Sequence, residues 1–293
     1  MRRTVALVLC AAAWALAATE LPKSLSEIVA SERTFAATCA QIGIRDSFLK
    51  FFSDDVITFG PELRRGVSYL KERPPDGPDG PKLWWEPVYG DVSAAGDLGY
   101  DTGPSIYTAK DGKKYYGMFF SVWQKQPNGE WKVILDAGLE TPKPESEGHR
   151  EFQAARQLEH GAKVAAYDTG SARASLASLE QTLASLAESE GLGKALLAHA
   201  DSNLRLHRNK LFPIAGASDV RDYLAKQDAS YRLDPQQLTL SSSGDLAYAV
   251  GQFKKKVARA GLSEDEGYYV RIWQRDAKGG WVIGLDSMLP LKR

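Results

Sequence analysis

The sequence predicts an α+β protein made of two tandem copies of one domain. Three observations carry this reading: the length of the chain, a helical apolar period followed by hairpin-linked strands, and a second pass through the same order. At 293 residues the chain is longer than a single domain of roughly 100 to 200 residues and suits two. Its 43% hydrophobic and 25% charged residues are those of an ordinary globular protein with enough apolar surface for two cores.

The chain opens on Arg2-Arg3 and an apolar run from Val5 to Ala18. A charged start, a short apolar run and the small-x-small Ala15-Leu16-Ala17 predict a signal peptide over 1–17. A retained membrane anchor is the alternative, although the run falls short of the roughly 20 residues that span a bilayer. The expected location is therefore periplasmic or secreted. Loss of Cys10 with the signal leaves Cys39, which lies in an apolar helical pattern, so burial is expected and an internal disulfide is not.

The first domain is expected over 24–140. Leu25, Ile28, Val29 and Phe35, then Phe48, Leu49 and Phe52, recur at three- and four-residue spacing and predict helices. Ser24-x-x-Glu27 reads as a capping box at the entrance of the first. Arg73 to Pro81, rich in proline and glycine, reads as a stiff connection from helix to first strand. From Tyr115 to Val122 large apolar groups occupy both alternating registers, which predicts a strand covered on both faces. Asn128-Gly129 then predicts a tight turn into the strand from Trp131 to Leu135. Helices grouped ahead of hairpins indicate α+β architecture and not alternating βαβ units.

Thr141 to Gly148 is polar and broken by proline, which predicts a linker over 141–149. The second domain is expected over 150–290. Glu151 to Ala166 reads as an added N-terminal helix and Ala174 to Glu188 as the helix that follows it.

Self-comparison supplies the duplication. At an offset of 148, Glu32-Arg33-Thr34-Phe35 meets Glu180-Gln181-Thr182-Leu183, and Gly96-Asp97-Leu98-Gly99-Tyr100 meets Gly244-Asp245-Leu246-Ala247-Tyr248. At an offset of 150, Gly117 to Leu139 aligns with Gly267 to Leu289 without a gap, and eight of those 23 positions are identical. Trp123 with Trp273, Trp131 with Trp281 and Asp136 with Asp286 are among them.

Charge and motifs exclude more than they assign. Lys plus Arg equals Asp plus Glu at 37 each, so no global field favours nucleic acid or an anionic membrane. Lys254-Lys255-Lys256 reads as a solvated hairpin end. There is no G-x-S-x-G, no phosphate-binding glycine loop and no His-Glu-x-x-His, and His199 and His207 have no standard zinc spacing. Both histidines read as half-buried structural residues. No metal or cofactor is expected, and no catalytic residue is assigned. Asp136 and Asp286 read as hydrogen-bonding residues that end the last strand of each copy.

Trp85-Glu86-Pro87, Gly96-Asp97-Leu98-Gly99-Tyr100-x-x-Gly103-Pro104, Val122-Trp123 and Asn128-Gly129-x-Trp131-Lys132-Val133-x-x-Asp136 together carry a family resemblance. Their order and spacing resemble the uncharacterised bacterial branch of the nuclear-transport-factor-2-like superfamily, which includes the SnoaL-like domains. The resemblance covers Leu25 to Leu139 and, in degenerate form, Ser175 to Leu289. It implies two cones, each with N-terminal helices packed on a strongly curved antiparallel sheet around a pocket. Isomerases, dehydratases, cyclases, epoxide hydrolases and plain binding or dimerisation surfaces all occur in that superfamily, so fold does not fix function.

Aromatic residues concentrate in the first copy, which makes it the better binding candidate. Trp85, Tyr100, Phe119 and Trp123 are expected near the mouth of its cone, with Asp136 the acid of the pocket. The expectation is an exported module whose first domain takes a small, largely apolar ligand. The alternative is an isomerase, dehydratase or cyclase using a pocket carboxylate. Stable membrane insertion after signal cleavage is not expected, and self-association is compatible with the fold. Whether Asp136 faces the cavity or the solvent separates the two readings.

Overall fold

The computed structural model describes residues 21–60, 62–77, 79–156, 167–256 and 266–291. The expected signal peptide over 1–17 and most of the expected added helix, 157–166, lie outside these. In the first half the order is α1 (Lys23–Ile42), α2 (Ile44–Phe51), β1 (Phe52–Phe59), β2 (Leu63–Arg65), α3 (Gly66–Lys71), β3 (Lys82–Trp85), β4 (Tyr89–Val92), β5 (Leu98–Thr108), β6 (Lys114–Lys125), β7 (Trp131–Glu140) and β8 (Gln153–Ala154). The second half repeats it with α4 (Thr169–Ser189), α5 (Leu192–Leu197), β9 (Ala200–Arg208), α6 (Ala217–Leu224), β10 (Tyr231–Leu240), β11 (Leu246–Lys255), β12 (Glu266–Arg275) and β13 (Trp281–Pro290). The protein is α+β, with helices packed on two sheets.

The first sheet runs β2-β1-β7-β6-β5-β4-β8, with β3 also on β5, and the second runs β10-β11-β12-β13-β9. They are not purely antiparallel: β1 lies parallel to β7, β9 parallel to β13, and β8 parallel to β4. The chain enters each sheet from its helices beside the last strand, and that placement fixes the direction. The stiff Arg73 to Pro81 segment accordingly joins α3 to the third strand, not the first.

Each leading helix buries a three-and-four stripe. In α1 it is Leu25, Ile28, Val29, Glu32, Phe35 and Cys39; in α4 it is Ala172, Leu176, Glu180, Leu183, Ala184 and Ala187. Cys39 is buried as expected, and burial pushes its thiol up. Gly43 and Gly191 break each first helix from the second at φ of 87° and 99°, a region that disfavours any residue with a Cβ. The capping box is not formed. Pro22 caps α1 without a side-chain bond, and Glu27 instead accepts from Lys125 Nζ at 2.9 Å and Trp131 Nε1 at 3.1 Å.

The helices of each half cover one face of their sheet, and the other two faces meet. Tyr100, Phe120, Val122 and Leu135 share one buried cluster with Tyr248, Val250, Val270, Ile272 and Leu285. This explains why β6 is buried on both faces. The meeting is reciprocal at its rim: Asp97 Oδ2 accepts from Ser242 N at 2.9 Å, and Asp245 Oδ2 from Ala94 N at 3.1 Å. Ala94 and Ser242 are repeat equivalents, as are Asp97 and Asp245, so the two copies pair through one self-complementary patch, as in a twofold dimer.

The chain after the linker stays with the first sheet. Glu151 to Arg156 is not helical: Gln153 N and Ala155 N donate to Val88 O and Gly90 O at 2.9 and 2.8 Å. Arg156 then pairs with Asp91 of the first copy and, at 3.5 Å, with Asp245 of the second. An edge strand with free carbonyl acceptors and a buried carboxylate override the helical period of the sequence. Among the described residues no helix is long and apolar enough to cross a membrane.

Candidate functional site

A cavity of about 450 Å³ opens between the helices and the sheet of the first half. Its deep wall is Glu32, Phe35, Leu70, Trp85 and Phe119, all buried; Arg73, Tyr107 and Gly138, all exposed, mark the mouth. Asp136 lines it as well.

Alternation and one bulge turn the acids to the helix side of the sheet. On β5, Leu98 and Tyr100 pack between the sheets, so Asp101 points to the helices. On β7, Trp131 and Val133 pack on the helices, and strict alternation would turn Asp136 away. The register slips at this point: Val122 pairs with Leu135 and Trp123 with Val133, which leaves Ile134 unpaired. This bulge reverses the alternation and brings Asp136 to the cavity side. Asp136 therefore lies within β7, and does not end it as expected.

Glu32 is the pivot. Its Oε1 accepts from Trp85 Nε1 at 2.5 Å and its Oε2 from Trp123 Nε1 at 2.8 Å. Glu32, Asp101 and Asp136 are all raised above the ordinary carboxylate range, Asp101 and Asp136 far above it. Burial is the main cause, and the Glu32 charge adds to it for the two aspartates. Asp136 thus touches the cavity and is half-buried at its wall. No cation pairs with any of the three among the described residues. Glu32 and Asp136 at this wall, with Asp101 fully buried and outside the cavity lining, can donate hydrogen bonds when protonated and accept a proton when not.

The second half treats the equivalent acids differently. Arg271, which stands where the first copy has Ser121, donates through Nη1 to Glu180 at 3.0 Å and through Nε to Asp286 at 3.0 Å. Tyr269 Oη and Trp273 Nε1 complete the shell of Glu180 at 3.0 and 2.5 Å, and Arg208 Nη2 that of Asp286 at 2.7 Å. Although burial opposes its charge, Glu180 and Asp286 hold the Arg271 guanidinium above its usual range.

Of the expected pocket residues, Trp85, Phe119 and Asp136 line the cavity together. Trp85 and Phe119 form its depth and not its mouth. Trp123 stands behind Glu32, fully buried. Tyr100 lies on the opposite face, between the sheets, because it alternates with Asp101. Glu32 and Asp101 were missed. The signal for Glu32 was present: it sits on the apolar stripe of α1 and recurs as Glu180. His207 is fully buried rather than half-buried, packs edge-on to Phe120 between the sheets and is pushed down to about 3 by burial, while His199 lies edge-on to Trp273. Lys254 and Lys256 pair with Glu266 and Glu188 at the hairpin end.

No protein-family model matches the chain, and neither does any curated protein. Among solved structures, the chain is similar to a ketosteroid isomerase-like protein from Erwinia carotovora atroseptica at 12% identity, over 42% of this chain and 100% of that one, with a TM-score of 0.34. It is similar to a nuclear transport factor 2-like superfamily protein from Salmonella enterica serovar Typhimurium at 17% identity, over 43% and 97%, with a TM-score of 0.32. A putative ketosteroid isomerase from Parabacteroides distasonis is 20% identical over 39% and 84%, with a TM-score of 0.29. Each of these three matches about two fifths of this chain.

Proposed function

We propose that this is an exported protein whose first cone holds a small, largely apolar molecule with one hydrogen-bonding group, while the second cone is its structural partner. One observation carries the reading: the first cone keeps an aromatic-walled cavity over Glu32 and Asp136, neither of which pairs with a cation among the described residues, where the second has Arg271 between Glu180 and Asp286. A site of this size, with aromatic side chains in its depth, suits a small organic ligand. Export is supported by the charged and apolar start over 1–17, and a boundary between the copies by the polar linker at 141–149.

Screening small aromatic and alicyclic ketones and alcohols by intrinsic tryptophan fluorescence tests the reading, since Trp85 lines the cavity. A hit should be lost in Gly138→Phe, which adds a ring at the mouth where a Cβ meets nothing nearer than 3.8 Å. Binding that survives Gly138→Phe in a folded protein would count against the cavity.

Proton-transfer chemistry on the bound molecule, as in an isomerase, dehydratase or cyclase, is the second reading. Asp136 favours it, being a carboxyl raised by burial that lines the cavity. Turnover of a hit that Asp136→Asn abolishes in a folded protein selects this reading; binding without turnover selects the first.

A further inference from the structure

The cavity of the first cone has acids in its depth and guanidinium groups toward its mouth. Arg45, Arg64 and Arg73 line it beside Asp76. Arg45 is committed, since Nη1 pairs with Asp46 at 2.5 Å and Nε donates to Leu70 O at 3.1 Å. Asp76 accepts from Arg45 N at 2.9 Å. Arg64 and Arg73 have no carboxylate partner among the described residues. Both lie over the ring of Tyr69, 3.5 and 5.5 Å from its centroid, and Arg73 Nη1 reaches its hydroxyl at 3.4 Å.

Two unpaired guanidinium groups on one ring repel each other, and Arg64 Nε is in addition buried without a hydrogen-bond partner. A donor stripped of water and left unpaired costs free energy that an anion would recover. The arrangement belongs to the first copy, because Ile214, which bridges Leu206 as Arg64 pairs with Thr58, stands in the place of Arg64.

Resting on the reading of the first cone as a ligand site, we propose that its ligand is a monoanion. Its acid group, a carboxylate, sulfonate or phosphate ester, sits on Arg64 and Arg73, and its uncharged apolar body runs along Leu83, Trp85 and Phe119 toward Asp136. The planar guanidinium fork suits such groups, and the partly dry mouth strengthens the attraction.

A matched pair of fluorescent probes tests this on the full chain. 8-Anilinonaphthalene-1-sulfonate carries the anion, and N-phenyl-1-naphthylamine has the same rings without it. Both should bind, and Gly138→Phe should weaken both at least about tenfold. In Arg64→Gln/Arg73→Gln the ratio of sulfonate to amine affinity should fall at least about tenfold. The same ratio should fall in the unaltered protein when salt rises from about 0.05 to about 0.5 M. If the double variant does not fold, Arg73→Gln alone, at an exposed position, carries the test with a smaller fall. Failure of both probes to bind, or binding indifferent to Gly138→Phe, would overturn the cavity reading and the proposal with it. Binding of the amine that Gly138→Phe blocks, with a ratio unchanged by the arginine variants, would overturn the monoanion and leave the cavity reading standing.

Discussion

The two cones place a glutamate and an aspartate at the same points and treat them in opposite ways. In the second, Glu180 and Asp286 are joined by Arg271, and Arg208 adds a further donor. In the first, Glu32 accepts from two neutral indoles, Asp136 pairs with no cation among the described residues, Asp101 adds a further acid, and open space lies beside Glu32 and Asp136. The exchange of Ser121 for Arg271 supplies the bridging cation, and Tyr269 for Phe119 and Ala249 for Asp101 add to the difference. A buried carboxylate is costly until a cation or a proton compensates it. The second copy uses the cation and becomes a packed core. The first uses the proton and keeps its acids available, a cost that folded proteins tolerate mainly at functional sites.

Breaking the compensated cluster should have the largest effect. Arg271→Met leaves Glu180 buried against two neutral donors and is expected to cost about 3–5 kcal/mol in urea unfolding. A loss below about 1 kcal/mol would mean that the arginine offsets little. The paired substitutions Glu180→Gln and Glu32→Gln sharpen the contrast. The first leaves Arg271 with Asp286 as its one carboxylate partner and should cost about 3 kcal/mol, whereas the second replaces a buried carboxyl that has no cation and should cost about 1 kcal/mol or less. Equal losses would erase the distinction between the cones.

Ser121→Arg should convert the first cone toward the second. The new guanidinium would reach Glu32 and Asp136, occupy cavity space and weaken N-phenyl-1-naphthylamine binding at least about tenfold, or about 1.4 kcal/mol. Retained binding in a folded variant would show that the arginine is not what closes the second cone.

The smallest effect is in pH. Because Glu32, Asp101 and Asp136 are raised in the folded state, the native protein binds more protons than the unfolded chain. Their contribution to stability is full below the unfolded carboxylate value of about 4 and is lost as pH rises toward the folded values. Asp101→Asn should flatten this decline between about pH 4 and 8 by about 1 kcal/mol in melts across pH, because the amide does not titrate. An unchanged slope would show that Asp101 is ionised at neutral pH.

The sequence by itself determined the α+β class, the duplication, the leading helices and the hairpin strands, because apolar period and turn residues act over a few neighbours. It also marked Trp85, Phe119 and Asp136, which the cavity brings together. Tertiary structure decided the rest. Whether Asp136 points in or out depends on the unpaired Ile134, and a bulge is set by the partner strand and not by the residues beside it. Tyr100 and Asp101 exchange faces if the register of one strand moves by one residue, so only the assembled sheet assigns them. Glu151 to Arg156 has a helical period but takes the free edge of β4, a partner more than sixty residues away. Glu32 repeats in the sequence as Glu180, but which of them faces a cavity depends on a strand roughly ninety residues further on, where one copy has Ser121 and the other Arg271.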